Sequence, residues 1–297
     1  MVDESRSVCL TFDFDGMALW INAFGADNIG MISRGEFGAT GTQRILALVK
    51  KHEIPVSFMV PGHTAYCYPD VIKRIHSEGH EIGHHGWVHE NPSEKSLDEE
   101  RRILERGFEA LERVTGERPV GYRSPAWNLS ENSIDLLLEF GLFYDASCMA
   151  TDFYPYYLRK GDKISRTEPF IFGECSEIVE LPASWTLDDW PSFDFVIGGF
   201  NTGLMPPSAV RENWQSAFDY MAANCPGGVF ILSMHPQVIG HGHTLPMLEA
   251  FIEHMKATPG VRFERLRDYA ARWKGANPLE QWKKENPHLA GTASYKF

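Results

Sequence analysis

Two carboxylates stand two residues apart in Asp13-Phe14-Asp15, and two histidines stand four apart in His85-Gly86-Trp87-Val88-His89. Residues two apart on a strand share a face, so both carboxylates can reach one site. Residues four apart on a helix also share a side, so one helical turn would bring His85 and His89 together. Two imidazoles and one carboxylate leave coordination positions open for water, which suits a catalytic Zn2+ or a similar divalent ion. One aspartate would hold the ion, and the other would stay free as a general base toward the bound water. His84 leaves open which pair of histidines binds. His235, in Ser233-Met234-His235-Pro236, could protonate a departing nitrogen. Arg123, in Arg123-Ser124-Pro125, could orient the basic aspartate and hold it ionised. Each residue has a plainer alternative: Asp13 as a turn residue before Gly16, His235 as a hydrogen-bonded core histidine, Arg123 as half of a buried ion pair.

The elements that would carry these residues alternate between short apolar runs and helical patterns. Strands are expected at Val8 to Phe14, Pro55 to Val60, His80 to His84, Pro119 to Tyr122, Leu142 to Asp145, Ile178 to Pro182, Gly228 to Met234 and Val261 to Glu264. Helices are expected at Thr42 to Lys51, Pro69 to Glu78, Ser93 to Thr115, Ser130 to Phe140, Pro207 to Ala223, Thr244 to Thr258 and Leu266 to Trp273. The helix at Ser93 to Thr115 carries Leu97, Leu104, Phe108 and Leu111 at three-to-four spacing, with Gly116 as its stop. Gly25 to Gly41 is rich in glycine and reads as a loop over one face, and Ala146 to Glu177 reads as irregular and aromatic. This alternation favours an α/β fold: a parallel sheet closed as a barrel of about seven strand–helix units, in a single domain spanning 1–297 with a polar tail from about residue 274. In such barrels function gathers at the C-terminal ends of the strands, where all the residues above fall.

The 297 residues include 28 Lys and Arg against 40 Asp and Glu, a net charge of −12. That balance argues against a nucleic-acid partner, which needs a basic face. With 43% hydrophobic and 23% charged residues the chain can build a large core. No apolar run approaches the roughly 20 residues of a membrane span, and the acidic start lacks the pattern of a secretory signal. Five scattered cysteines without a CxxC pair read as reduced thiols, so a cytoplasmic location is expected.

In this order the pieces resemble the polysaccharide deacetylase family, the NodB-homology carbohydrate esterases, with their distorted (β/α) barrel and five short motifs. The motifs would be Thr11-Phe-Asp-Phe-Asp15, His85-Gly-Trp-Val-His89, Arg123-Ser-Pro125, Leu187-Asp-Asp-Trp190 and Met234-His-Pro236. The resemblance implies that Asp15, His85 and His89 hold the metal, that Asp13 is the base and that His235 is the acid. Arg123 and an aspartate of the fourth motif would tune that pair; Asp189 is the first choice by its place before Trp190, with Asp188 as the alternative. Three departures stand out: Phe14 between the two aspartates, Gly86 where the family has Ser or Thr, and Ala126 before the aromatic Trp127. These variants resemble the cytoplasmic branch of peptidoglycan deacetylases, PuuE-type allantoinases and cyclic imide hydrolases, which implies a homotetramer.

The expected reaction is hydrolysis of a carbon–nitrogen amide bond other than a peptide bond, on an N-acetyl sugar or peptidoglycan-type saccharide. The alternative is ring opening of a cyclic imide or ureide. Zn2+ is the leading metal, and Co2+, Ni2+ and Fe2+ suit the same ligands. Trp20, Trp127, Trp185 and Trp190 either stack on a sugar ring or pack the core. A non-catalytic metal-holding barrel, with His84 as fourth ligand, would leave Asp13 and His235 without a task.

Overall fold

The computed structural model describes residues 5–196 and 204–292. Nine strands, β1 (Arg6–Asp13), β2 (Ser57–Val60), β3 (Glu81–His84), β4 (Gly121–Tyr122), β5 (Tyr144–Asp145), β6 (Tyr156–Lys160), β7 (Glu174–Glu180), β8 (Val229–Met234) and β9 (Val261–Phe263), form one sheet. Its order is β6-β7-β5-β4-β3-β2-β1-β8, with β9 also pairing β1. Seven strands from β7 to β8 run parallel, β6 pairs antiparallel with β7, and β9 adds a further parallel strand. The sheet curls toward closure. The chain beyond β7 returns to β8 through a single parallel bridge between Asp188 and Ser233, and Val229 N–H donates to the Phe153 carbonyl. This is the distorted (β/α) barrel expected from the sequence.

β1 is flanked by β2 and β8 and also pairs β9, and its alternation separates two tasks. Val8, Leu10, Phe12 and Phe14 are buried in a cluster with Ile45, Val49 and Phe230. Cys9 turns the other way, into a cluster with Met59, Val229 and Ile231, and Thr11 and Asp13 continue its face toward the strand end. Packing and chemistry therefore use alternate residues of one strand.

Two expectations need correction. The glycine-rich stretch is not a loop: a 23-residue helix runs from Ile29 to Lys51. Two of its glycines lie where the helix meets other backbone closely. A Cβ at Gly35 would stand 2.3 Å from the Gly16 carbonyl oxygen, and one at Gly41 would stand 2.0 Å from that of Pro236. The stretch 146–177 is only partly irregular, since β6 and the start of β7 form an antiparallel pair there. The polar tail contains a helix, Leu279–Glu285, whose Trp282 is buried against the ring of Tyr157 at 5.4 Å. Among the described residues no helix is long and apolar enough to cross a membrane.

Candidate active site

Asp13 ends β1, and Asp15 follows in the turn that Gly16 permits with φ of +55°. Both carboxylates are buried. Phe14 between them points away and packs against Tyr68, with ring centroids 5.8 Å apart. The inserted residue thus keeps the two aspartates on one side, as the strand period requires.

His85 and His89 come together through a turn, not through the helical turn their spacing suggests. Gly86 is left-handed at φ +74°, and His89 itself takes φ +62°. A non-glycine residue in that conformation must be held by its surroundings. Glu90 accepts from the amides of Trp87 at 3.0 Å and Val88 at 2.8 Å, folding the turn around its carboxylate. Asn22 donates its side-chain amide to the His89 carbonyl at 3.0 Å. The two imidazole centroids stand 5.2 Å apart. His84 points elsewhere: its Nε2 meets the Leu104 carbonyl at 3.0 Å, and its ring packs on Phe108. Of the three histidines, His85 and His89 face one another and His84 does not.

Donor atoms of Asp15, His85 and His89 lie within 4.8 Å of one another, and all three residues are buried. His85 Nδ1 sits 2.6 Å from the Arg123 carbonyl. A carbonyl only accepts, so the proton is on Nδ1 and the Nε2 lone pair faces Asp15 Oδ1, 3.5 Å away. Asp15 Oδ1 and His89 Nδ1 have no hydrogen-bond partner although both are buried. Unpartnered buried polar atoms are costly, and a divalent cation bound among the three residues would satisfy Asp15 Oδ1. Burial pushes the Asp15 carboxyl up to about 8, with the nearby charges of Asp13 and Asp188 adding to it. A cation would reverse that shift. These three residues fit the group.

Arg123, fully buried, donates Nη1 to Asp13 Oδ1 at 2.7 Å and to Thr11 Oγ1 at 2.9 Å, and Nε to the Ala146 carbonyl at 3.0 Å. Burial opposes a charge on Asp13. Arg123, His85 and His235 together nevertheless hold its carboxyl below the usual carboxylate range.

His235 follows β8. Its Nδ1 lies 2.7 Å from Asp189 Oδ1, and its amide donates to Asp189 Oδ2 at 2.9 Å. Asp188 stands farther off, 3.8 Å from the same nitrogen, and accepts instead from the Trp190 amide at 2.7 Å. Burial disfavours a charged His235, but Asp189 and Asp188 raise it well above an ordinary histidine. Its Nε2 points back to the site, 3.8 Å from Asp15 Oδ2.

A pocket of about 240 Å³ opens over these groups. One wall is Trp127 and Trp185, with centroids 4.3 Å apart; the other is Phe24 stacked near Trp190. Ala126 and Trp127 both take φ of +53°, two more left-handed non-glycine residues beside the site in addition to His89. Trp20 is fully buried behind Phe24 and Trp190, not in the pocket lining. Three residues at the site went unseen in the sequence. Glu90 and Asn22 hold the histidine turn, and Gln237 donates Nε2 to Asp15 Oδ2 at 3.2 Å. Gln237 directly follows the Met234-His-Pro236 motif, which does not mark its contact with Asp15.

Residues 2–144 match a family model described as polysaccharide deacetylase. The chain is 35% identical over 282 residues to the peptidoglycan deacetylase of Helicobacter pylori, covering 91% of this chain and 96% of that protein. A crystal structure from Mycobacterium smegmatis, assigned to the polysaccharide deacetylases, is 35% identical with a TM-score of 0.81 over 92% of each chain. The crystal structure of PuuE allantoinase shares the fold, with a TM-score of 0.75 at 24% identity over 93% of this chain and 92% of that one.

Proposed function

The chain belongs to the polysaccharide deacetylase family of hydrolases, which act on carbon–nitrogen bonds other than peptide bonds, and from that membership we propose that it removes an N-acyl group from a saccharide with the help of a divalent cation. The observation that carries the cation is the unpartnered buried Asp15 Oδ1, facing the free side of His85 and within ligand reach of His89. Asp15, His85 and His89 would hold it, with Zn2+ first among Zn2+, Co2+, Ni2+ and Fe2+. Such an ion supplies a water of lowered pKa and a Lewis acid for the acyl oxygen.

The remaining work falls to side chains. Asp13, kept ionised by Arg123, takes the proton of the attacking water. His235 carries a proton on Nε2, because Asp189 fixes Nδ1 as a donor and favours the charged ring. It gives that proton to the departing nitrogen, which would otherwise leave as an amide anion. Buried Asp189 and Arg123 act through His235 and Asp13 and are positioning residues. The aromatic walls exclude water and bracket one ring of the substrate.

A second reading, ring opening of a cyclic imide or ureide, is favoured by the size of the pocket. At about 240 Å³ it is smaller than the ~300–1,000 Å³ usual for ligand sites. The two readings differ in what leaves. Incubation with N-acetylated mono- and oligosaccharides should release acetate and a free amine in equal amounts. Turnover of a cyclic imide to a single ring-opened product, with no acetate from any N-acetyl sugar, would establish the second reading instead.

A further inference from the structure

We propose that Gln237 is a positioning residue that selects which oxygen of Asp15 faces the cation and keeps that carboxylate from being captured by His235; this rests on the metal-site reading above. Asp15 has two oxygens with different surroundings. Oδ2 accepts from Gln237 Nε2 at 3.2 Å, and Oδ1 stands unpartnered 3.5 Å from His85 Nε2. A carboxylate only accepts, so the Gln237 amide must present its NH2 group to an ionised Asp15. The contact therefore favours the ionised form and leaves one oxygen free on the histidine side.

The second part of the inference comes from what lies on the other side of Oδ2. His235 Nε2 is 3.8 Å away, within reach of an ion pair. Without Gln237 the carboxylate could turn toward the protonated imidazole. One ligand would then leave the cation, and the acid would lose the proton face it presents to the substrate. Gln237 thus holds apart two groups of opposite charge that must act separately.

The fold presses Gln237 into this place. It lies in the short helix Pro236–Ile239 after β8 and is 5% exposed. Behind it runs the helix Ile29–Lys51, where Gly41 admits the Pro236 carbonyl and a Cβ at Gly38 would stand 3.4 Å from Gln237 Oε1. Oε1 is buried and accepts nothing, so hydrogen bonding at Oε1 does not account for the side chain's orientation. The bond to Asp15 is its one polar tie among the described residues.

The test measures divalent-ion affinity by chelator competition on the full chain, together with the visible absorption of the Co2+-loaded protein. Gln237→Met keeps length and volume without a donor, and Gln237→Glu keeps shape with a group that repels Asp15. Both should bind Zn2+ and Co2+ about 10–100-fold more weakly, the scale of losing a hydrogen-bonded support to a metal ligand, and should shift the Co2+ spectrum. Circular dichroism identifies a variant that has not folded, and the other variant then carries the comparison. Wild type binding one ion that Asp15→Ala abolishes, with a folded Gln237 variant binding as wild type, would overturn the role of Gln237 alone. Wild type binding no ion would overturn it together with the metal reading.

Discussion

The division between Asp13 and His235 makes predictions that belong to single residues. Asp13→Asn and His235→Ala should each lower turnover by ~10²-fold or more, the scale of a general base or acid, while the ion stays bound. Steady-state kinetics beside metal analysis checks both halves of that statement. The pH profile follows from the two shifts. Activity should fall on the acid side only as Asp13 takes up a proton, below the usual carboxylate range. It should fall on the alkaline side as His235 loses its proton, well above the ordinary histidine value. Asp189→Asn removes the largest of the charges that raise His235, so burial regains influence and the alkaline limb should move to lower pH. An unmoved limb in the kcat/KM profile would count against His235 as the acid. Asp13, Asp15, His85, His89, Arg123 and His235 were legible because each sits at a strand end in a short motif. Gln237 was not, because its partner Asp15 lies 222 residues away and nothing local marks the contact.

At the scale of elements, glycine misled the sequence reading for a physical reason. Gly in a helix interior costs roughly 0.5–1 kcal/mol relative to Ala, so four glycines between Gly30 and Gly41 argue against a helix. Tertiary contact overrides that cost here, because the helix must approach the backbone of the Gly16 and Pro236 turns that carry Asp15 and Gln237. The sign of a substitution should therefore depend on position. Gly41→Ala gains propensity but drives a Cβ onto the Pro236 carbonyl. It should destabilise by about 1–3 kcal/mol or more, as overpacking does, and weaken ion binding as the Gln237 segment shifts. Gly275→Ala, in the helix Leu266–Ala276 with open space around it, should stabilise by about 0.5–1 kcal/mol. Paired thermal and denaturant unfolding of the two variants checks the contrast. The turn at His85 to His89 carries the same lesson: HxxxH spacing was readable, but the left-handed His89 depends on Asn22 and Glu90, which no period reveals.

For the whole molecule, the barrel brings Asp13, Asp15, His85, His89 and His235 to one pocket from distant parts of the chain. Asp15, His85 and His89 come from the ends of β1 and β3, so a cation joining them ties together separate parts of the sheet. An ion that binds only the folded chain stabilises it by about 2.7 kcal/mol at one hundred times its Kd. Chelation should therefore lower Tm, added Zn2+ should restore it, and His89→Ala should respond to neither. The pocket above the site makes the last prediction. Trp185 is 47% exposed and forms the outer wall with Trp127, whereas Phe24 and Trp190 close the opposite side. A substrate ring packed on Trp185 gains about 1 kcal/mol for each ~40 Å² of apolar area it buries there, and it gains this equally before and during the chemical step. Trp185→Ala should then raise KM roughly three- to tenfold with kcat nearly unchanged, the signature of lost uniform binding. A fall in kcat with KM unchanged would mean instead that the indole acts only in the transition state, by excluding water from the reacting carbonyl.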